Sequence, residues 1–446
     1  GGPIARLCLG KTLPTARGAR RMIATIVASF VVLLLMGTPI AMLLLATTAL
    51  ALALHSSTSL LILPQQLFNA LDNSVLMSVP FFILAGSIMT RGSMARRLIE
   101  VVNCLVGGYP GGLAIATTLA CLFFASLSGS SPATVVAIGS VMLPALMKAG
   151  YGDRFSVGLV TSAGSLGIVI PPSIPMILYC LVMNVSVAEL FLAGVLPGLL
   201  IAGVFIAYTI YMSYHSGWAA AKKASWREVA QSLRQGVWAL VLPIIVLGGI
   251  YGGIFTPTEA AAVSVTYALI VEVLIYRDIK VKDVPGVCME GAILSGCLLF
   301  ILACAMTLVW LLTAERIPQQ LADSITAHVQ SKWIFLIMVN ILFLLIGTVM
   351  DNVSAMLILS PLFVETLNRF QIDYVHYGII MVLLIEFGFL TPPFGLNLFV
   401  AMGLSRKSLI EVSAGVAPFL VLLLFCVLLV TFVPDISLLL PKVFLR

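Results

Sequence analysis

The chain has 446 residues, 61% of them hydrophobic and 9% charged, with a mean hydropathy of +1.14. A water-soluble domain carries about 25% charged residues, so this composition excludes a soluble enzyme, a nucleic-acid binder and a disordered scaffold. The net charge of +6 reads as a report on membrane orientation, because basic residues in short loops mark the inner side. Eight cysteines are scattered without a C-x-x-C pair and four histidines lie far apart, so no metal cluster is spelled out.

A helix needs about 20 residues to cross roughly 30 Å of hydrocarbon. On that measure the charge-poor stretches predict spans near 22–54, 67–90, 155–183, 189–214, 237–255, 258–276, 290–314, 377–404 and 410–433. The first is interrupted at Gly37-Thr38-Pro39, where proline removes a backbone donor and its ring crowds the preceding turn, so two short helices are the alternative to one crossing.

Two further apolar stretches, 111–147 and 333–368, are each broken by small and polar residues, Ser128-Gly129-Ser130-Ser131-Pro132 and Gly347-Thr348-Val349-Met350-Asp351-Asn352. Irregular backbone at membrane depth is tolerated only where protein buries it or a cavity receives it. Both stretches are therefore read as re-entrant hairpins, with paired ordinary spans as the alternative. With the amino terminus inside, this layout puts 19 of the 24 basic residues on the inner side, five of them before position 22. The first hairpin then enters from the inside and the second from the outside, as an inverted repeat requires.

Self-similarity supports such a repeat. Each hairpin is followed by a proline, a short amphipathic loop and a span broken by Pro-Pro. Leu143-Pro144 and Ser360-Pro361 are offset by 217 residues, and Pro171-Pro172 and Pro392-Pro393 by 221, a difference that a four-residue loop insertion explains.

Proline in mid-span frees carbonyls on one half-helix and leaves amides projecting from the next. The carbonyls suit a hard cation such as Na⁺, and the helix N-termini suit a carboxylate. No Lys or Arg falls in either tip or either Pro-Pro segment, so an anion there must be held by helix ends, hydroxyls, amides and a bound cation.

Asp351 and Glu386 are the acids expected deepest, and an intramembrane carboxylate is a functional candidate. Asp351 can ligate a cation or cap the following half-helix, while Glu386 is expected to bind a neighbouring backbone group. Glu259 follows Thr256-Pro257 as an ordinary first-turn carboxylate, and Glu272 is expected near a span end facing solvent. No H-E-x-x-H, Gly-x-Ser-x-Gly or P-loop is present, so the chain is read as a gradient-driven carrier and not an enzyme.

Six ordered motifs complete the picture: Ser128-Gly-Ser-Ser-Pro-Ala-Thr134, Gly150-Tyr-Gly-Asp-Arg-Phe155, Gly167-Ile-Val-Ile-Pro-Pro-Ser-Ile-Pro175, Leu192-Ala-Gly-Val-Leu-Pro-Gly198, Thr256-Pro-Thr-Glu-Ala-Ala261 and Thr391-Pro-Pro-Phe-Gly395. Over roughly 22–433 the chain resembles the large membrane subunit of tripartite ATP-independent periplasmic (TRAP) transporters. The resemblance implies an all-α polytopic protein of the bacterial inner membrane with an inverted repeat, two hairpins, two Pro-broken helices and an elevator mechanism. It implies Na⁺-coupled uptake of a carboxylate, such as a C4-dicarboxylate or sialic acid. The substrate would come from a periplasmic binding protein, and a small four-helix membrane subunit would be a partner. A stand-alone Na⁺/carboxylate symporter is the alternative.

Carried over by motif, the resemblance implies a first Na⁺ site at Ser128, Gly129, Ser130 and Ser131 with Gly164, Ser165, Gly167 and Pro171. A second would use Gly347, Thr348 and Asp351 with Gly388, Thr391 and Pro392. Substrate would lie between them, touching Ser173 and Asn397. The implied organisation is an extension or linker remnant at 1–21, a first repeat at 22–214, a connecting loop and helix at 215–257, a second repeat at 258–433 and a tail at 434–446.

Overall fold

A computed structural model describes residues 16–56, 58–218, 224–347, 352–393 and 395–445, with side chains from Arg21 onward. Among the described residues no strand occurs, and seven helices are long and apolar enough to cross a bilayer.

The amino-terminal segment turns back on itself. Helix Ala16–Leu35 is followed by Gly37 at φ 72° and by helix Ile40–His55, which packs alongside it. Thr25 Oγ1 lies 2.7 Å from His55 Nε2, so Arg21 and Ser56 stand at the same end. Of the two readings of 22–54, the pair of helices is therefore the observed one. The inner placement of the five basic residues before position 22 assumed one crossing and no longer follows.

The span expected at 67–90 is also bent. Helix Ile62–Leu71 stops at Asp72, and Asn73 starts a new 3-10 turn by accepting from the Val75 N–H at 2.9 Å, before helix Ser78–Arg91. Helix Val284–Ala314 packs along Ile40–His55, Ile62–Leu71 and Ser78–Arg91. Gly291 lies against Leu84, where a Cβ would make ordinary contact at 3.4 Å with the Leu84 Cα.

An amphipathic helix, Met94–Val106, leads through Gly107–Gly112 into the first hairpin. Gly111, at φ 73°, starts helix Gly112–Ser128; Gly129, at φ 59°, ends it; and helix Ser131–Lys148 packs back against it. The Tyr151 hydroxyl lies against the Leu113 and Ala114 backbone, so the hairpin closes at its open end. In the stretch expected as the second hairpin, helices Lys332–Ile346 and Asn352–Leu362 touch, and the Phe335 and Phe363 ring centroids are 5.7 Å apart.

Helices Asp153–Gly164 and Tyr374–Phe389 form the centre. Every residue from Val375 to Phe389 is buried, as is every residue from Ser156 to Gly164, with Ser156, Thr161, Ser162, His376 and Glu386 among them. Each leads into a cis Pro-Pro pair, Pro171-Pro172 and Pro392-Pro393, and then a second short helix, Ile174–Met183 or Leu396–Ser405. Helix Leu409–Phe432 lies along Asp153–Gly164 with backbones in contact: a Cβ at Gly158 would collide with the Gly415 carbonyl, and one at Gly415 would stand 2.5 Å from the Arg154 oxygen. Without a hydrophobic gradient between helices in lipid, such small-residue contacts supply much of the association.

Thr256 and Glu259 form a reciprocal capping box, as do Ser225 with Glu228 and Ser408 with Glu411, each a local contribution of about 1 kcal/mol. Glu259 is therefore the helix-starting carboxylate expected of it. Glu272 is a correction: expected in solvent, it is buried, because a π turn over Ile270–Ile275 lies at this point and its carboxyl group is taken up by the Ser93 and Met94 amides.

Candidate functional site

The first hairpin tip rests on the first broken helix. The Gly129 carbonyl accepts from the Ile174 N–H at 3.3 Å, and a Cβ on Gly129 would stand 2.8 Å from the Pro172 oxygen. Gly167 is packed equally closely, since its Cβ would lie 2.7 Å from both the Ser130 oxygen and Thr134 Oγ1. At Gly164 a Cβ would strike Val135. Each of these three expected glycines faces an atom that leaves no room for a side chain: the Pro172 carbonyl at Gly129, Val135 at Gly164 and the Ser130 carbonyl at Gly167.

Within the tip, Thr134 Oγ1 donates to the Ser130 carbonyl at 2.9 Å and lies 3.0 Å from Ser128 Oγ, which itself accepts from the Ser130 N–H at 3.4 Å. Thr134 is a residue the motif assignment passed over; its signal was its place one turn after Ser130. Ser173 caps helix Ile174–Met183 by accepting from the Met176 N–H, and donates to the Ile168 carbonyl at 2.5 Å.

The second cluster is built alike. Asn352, buried, lies where a Cβ on either Gly347 or Gly388 would fall, so its amide wedges between hairpin and broken helix. Gly167 and Gly388 are 221 residues apart, the offset of the Pro-Pro pairs, and so are Ser131 and Asn352. Thr391 donates to the Phe387 carbonyl at 2.8 Å, ahead of cis Pro392-Pro393. Thr348 and Asp351 lie outside the described residues.

Two contacts join the clusters. Asn397 Nδ2 donates to Ser131 Oγ at 2.6 Å, and Ser165 Oγ lies 2.6 Å from Glu386 Oε1. Ser165 and Glu386 are again 221 residues apart. The backbone partner expected for Glu386 is thus replaced by a hydroxyl from the other half of the chain, which no local pattern could reveal. Ser165 Oγ is also 2.6 Å from the Ser162 carbonyl, which can only accept. One hydroxyl proton serves one of these contacts fully, and both are satisfied when the carboxyl group supplies the second proton.

Ser128, Ser131, Ser165, Ser173 and Asn397 are all at most 1% exposed, whereas Ser130 and Thr391 are half-buried and Pro392 is exposed. The Asn397 Oδ1 and Glu386 Oε2 atoms are buried without a hydrogen-bond partner among the described residues. Ser173 and Asn397 both adjoin the first tip, from opposite broken helices.

Residues 27–436 match the family described as "Tripartite ATP-independent periplasmic transporter, DctM component". The chain belongs to the TRAP transporter large-subunit family. It is 42% identical to the C4-dicarboxylate TRAP transporter large permease protein DctM of Rhodobacter capsulatus, across 92% of this chain and 97% of that one. It is 43% identical to the DctM protein of Pseudomonas aeruginosa, across 88% and 92%. The ectoine/5-hydroxyectoine TRAP large permease UehC of Ruegeria pomeroyi is 37% identical across 94% and 98%. The solved Alcanivorax borkumensis YdaH transporter has the same fold, with a TM-score of 0.64 over 88% of this chain and 96% of that one, at 15% identity. As a TRAP large subunit the protein is a multi-pass component of the bacterial inner membrane that serves transport.

Proposed function

We propose that this TRAP subunit carries out Na⁺-coupled, secondary-active uptake of a C4-dicarboxylate or a related organic acid by an elevator-type movement. The observation that carries the proposal is the first hairpin tip seated on one Pro-broken helix and Asn352 packed against Gly388 of the other, with no Lys or Arg in either tip sequence or either Pro-Pro segment. A carboxylate bound there must be neutralised by helix ends and a cation. Ser128, Gly129, Ser130 and Ser131 with Gly164, Ser165, Gly167 and Pro171 would hold one Na⁺. Gly347, Thr348 and Asp351 with Gly388, Thr391 and Pro392 would hold the other, with substrate near Ser173 and Asn397. The repeated offset of 221 residues at Ser165–Glu386 and Gly167–Gly388 supports inverted repeats at 22–214 and 258–433.

Family membership implies a small membrane subunit and a periplasmic binding protein as partners. The relatives named for C4-dicarboxylates favour that substrate class. The test is uptake into proteoliposomes containing this chain and its small subunit, with binding protein loaded with radiolabelled succinate outside. Uptake that requires both the binding protein and an inward Na⁺ gradient is expected. Equal uptake with K⁺ replacing Na⁺, or without the binding protein, would refute the proposal.

A further inference from the structure

Glu272 has a complete and unusual set of partners. Its Oε1 accepts from the Met94 N–H at 2.7 Å and its Oε2 from the Ser93 N–H at 3.1 Å, across 178 and 179 residues of sequence. These amides begin helix Met94–Val106 and have no partner inside it. Gly92 makes room, because a Cβ there would overlap the Glu272 carboxyl group.

The surrounding side chains tie the same two elements together. Ser93 Oγ donates to Asp278 Oδ2 at 2.5 Å, and Arg97 Nε donates to Ser93 Oγ at 3.1 Å. The Arg97 guanidinium lies 3.6 Å from Asp278 and 3.9 Å above the Tyr276 ring, whose hydroxyl donates to the Gln235 carbonyl at 2.7 Å. Helix Met94–Val106 also packs closely on helix Trp226–Tyr251, where a Cβ on Gly236 would lie 2.5 Å from Val101 Cγ2. Its other end continues through Gly107–Gly112 into the first hairpin.

The geometry points to Glu272 as a positioning residue that fastens Met94–Val106 to the helix pair Trp226–Tyr251 and Pro257–Leu269. This helix then stays with the pair while the hairpin moves on the Gly107–Gly112 link. A buried carboxylate on two backbone donors is a stronger tie than a neutral hydrogen bond, and truncating it strands both amides. The inference rests on the elevator-type movement proposed above, with the first hairpin in the moving part.

The test uses the complete transporter in nanodiscs and proteoliposomes. In Glu272→Ala, amide hydrogen exchange over residues 93–97 should rise about 10-fold or more, while the rest of the bundle keeps its protection. Glu272→Gln, which retains one acceptor oxygen, should show a smaller rise. Gly92→Ala should reproduce the loosening with Glu272 intact. Maximum uptake rate should fall with the Na⁺ concentration for half-maximal uptake unchanged. In a chain with its native cysteines replaced, Val101→Cys with Gly236→Cys should form a disulfide, leave wild-type uptake intact and restore uptake to Glu272→Ala.

Unchanged exchange in Glu272→Ala, or a cross-link that abolishes uptake, would overturn the fastening. Wild-type uptake indifferent to Na⁺ and binding protein would instead overturn the transport reading, while exchange and cross-linking still decide the role of Glu272.

Discussion

The Ser165–Glu386 contact supplies the sharpest quantitative expectation. Glu386 is fully buried, has one hydrogen-bond partner 2.6 Å away, and its second oxygen has none among the described residues. Ser165→Ala leaves the whole carboxyl group unpaired, and an unsatisfied buried polar group costs about 1–3 kcal/mol, equivalent to about 5- to 150-fold in the folded population. Glu386→Gln keeps shape and a donor, since the amide N–H can serve Ser165 Oγ while the serine proton goes to Ser162. That change should cost under about 1 kcal/mol. Glu386→Ala should resemble Ser165→Ala, and the double alanine variant should be less damaging than the sum of the two, with a coupling of about 0.5–3 kcal/mol. Steric-trapping or pulse-proteolysis measurements of unfolding in mixed micelles would read these differences. If Glu386→Gln were as harmful as Glu386→Ala and Ser165→Ala were neutral, the group would be acting as a charge and not as a hydrogen-bonded acid, and the proton count at Ser165 would be wrong.

Three further outcomes are expected. Asn397→Ala removes the 2.6 Å donor to Ser131, and the loss of one hydrogen bond, about 0.5–1.5 kcal/mol, should raise the Na⁺ concentration for half-maximal uptake by about 2- to 12-fold; an unchanged Na⁺ titration would detach Asn397 from the site. Gly167→Ala forces a methyl group to within 2.7 Å of the Ser130 carbonyl, and Gly388→Ala drives one into Asn352, so each should reduce uptake strongly at a cost of about 1–3 kcal/mol; Gly203→Ala and Gly248→Ala, with open space around them, should transport normally. Asp351→Ala should weaken the Na⁺ dependence of uptake, and unaltered Na⁺ activation would remove Asp351 from the second site.

Features written in local sequence are legible from residue order alone. The Pro-Pro breaks, the Ser128–Pro132 tip and the Thr256–Glu259 capping box depend on residues within a few positions of one another, and the structure realises each locally. The Gly37-Thr38-Pro39 interruption marked a break but not its direction; the Thr25–His55 contact decides that the chain returns. Glu272 was misread because a carboxylate near a span end has no local sign of a partner 178 residues away. The tie between Ser165 and Glu386 escaped for the same reason, although the two residues share the offset of 221 that separates the Pro-Pro pairs. Thr134 and Asn352 did leave a mark in the sequence: Thr134 stands one turn after Ser130, and Asn352 stands 221 residues after Ser131.

The seam between Gly158 and Gly415 also bears on biogenesis. The surface of Asp153–Gly164 that receives Leu409–Phe432 has no cover from that helix until the last tenth of the sequence has left the ribosome and entered the bilayer. Early helices must therefore wait, partly assembled, for a late one. A nonsense mutation shortly before Leu409 would leave that seam open, presenting an unpacked helix face to lipid and a ready substrate to membrane proteases.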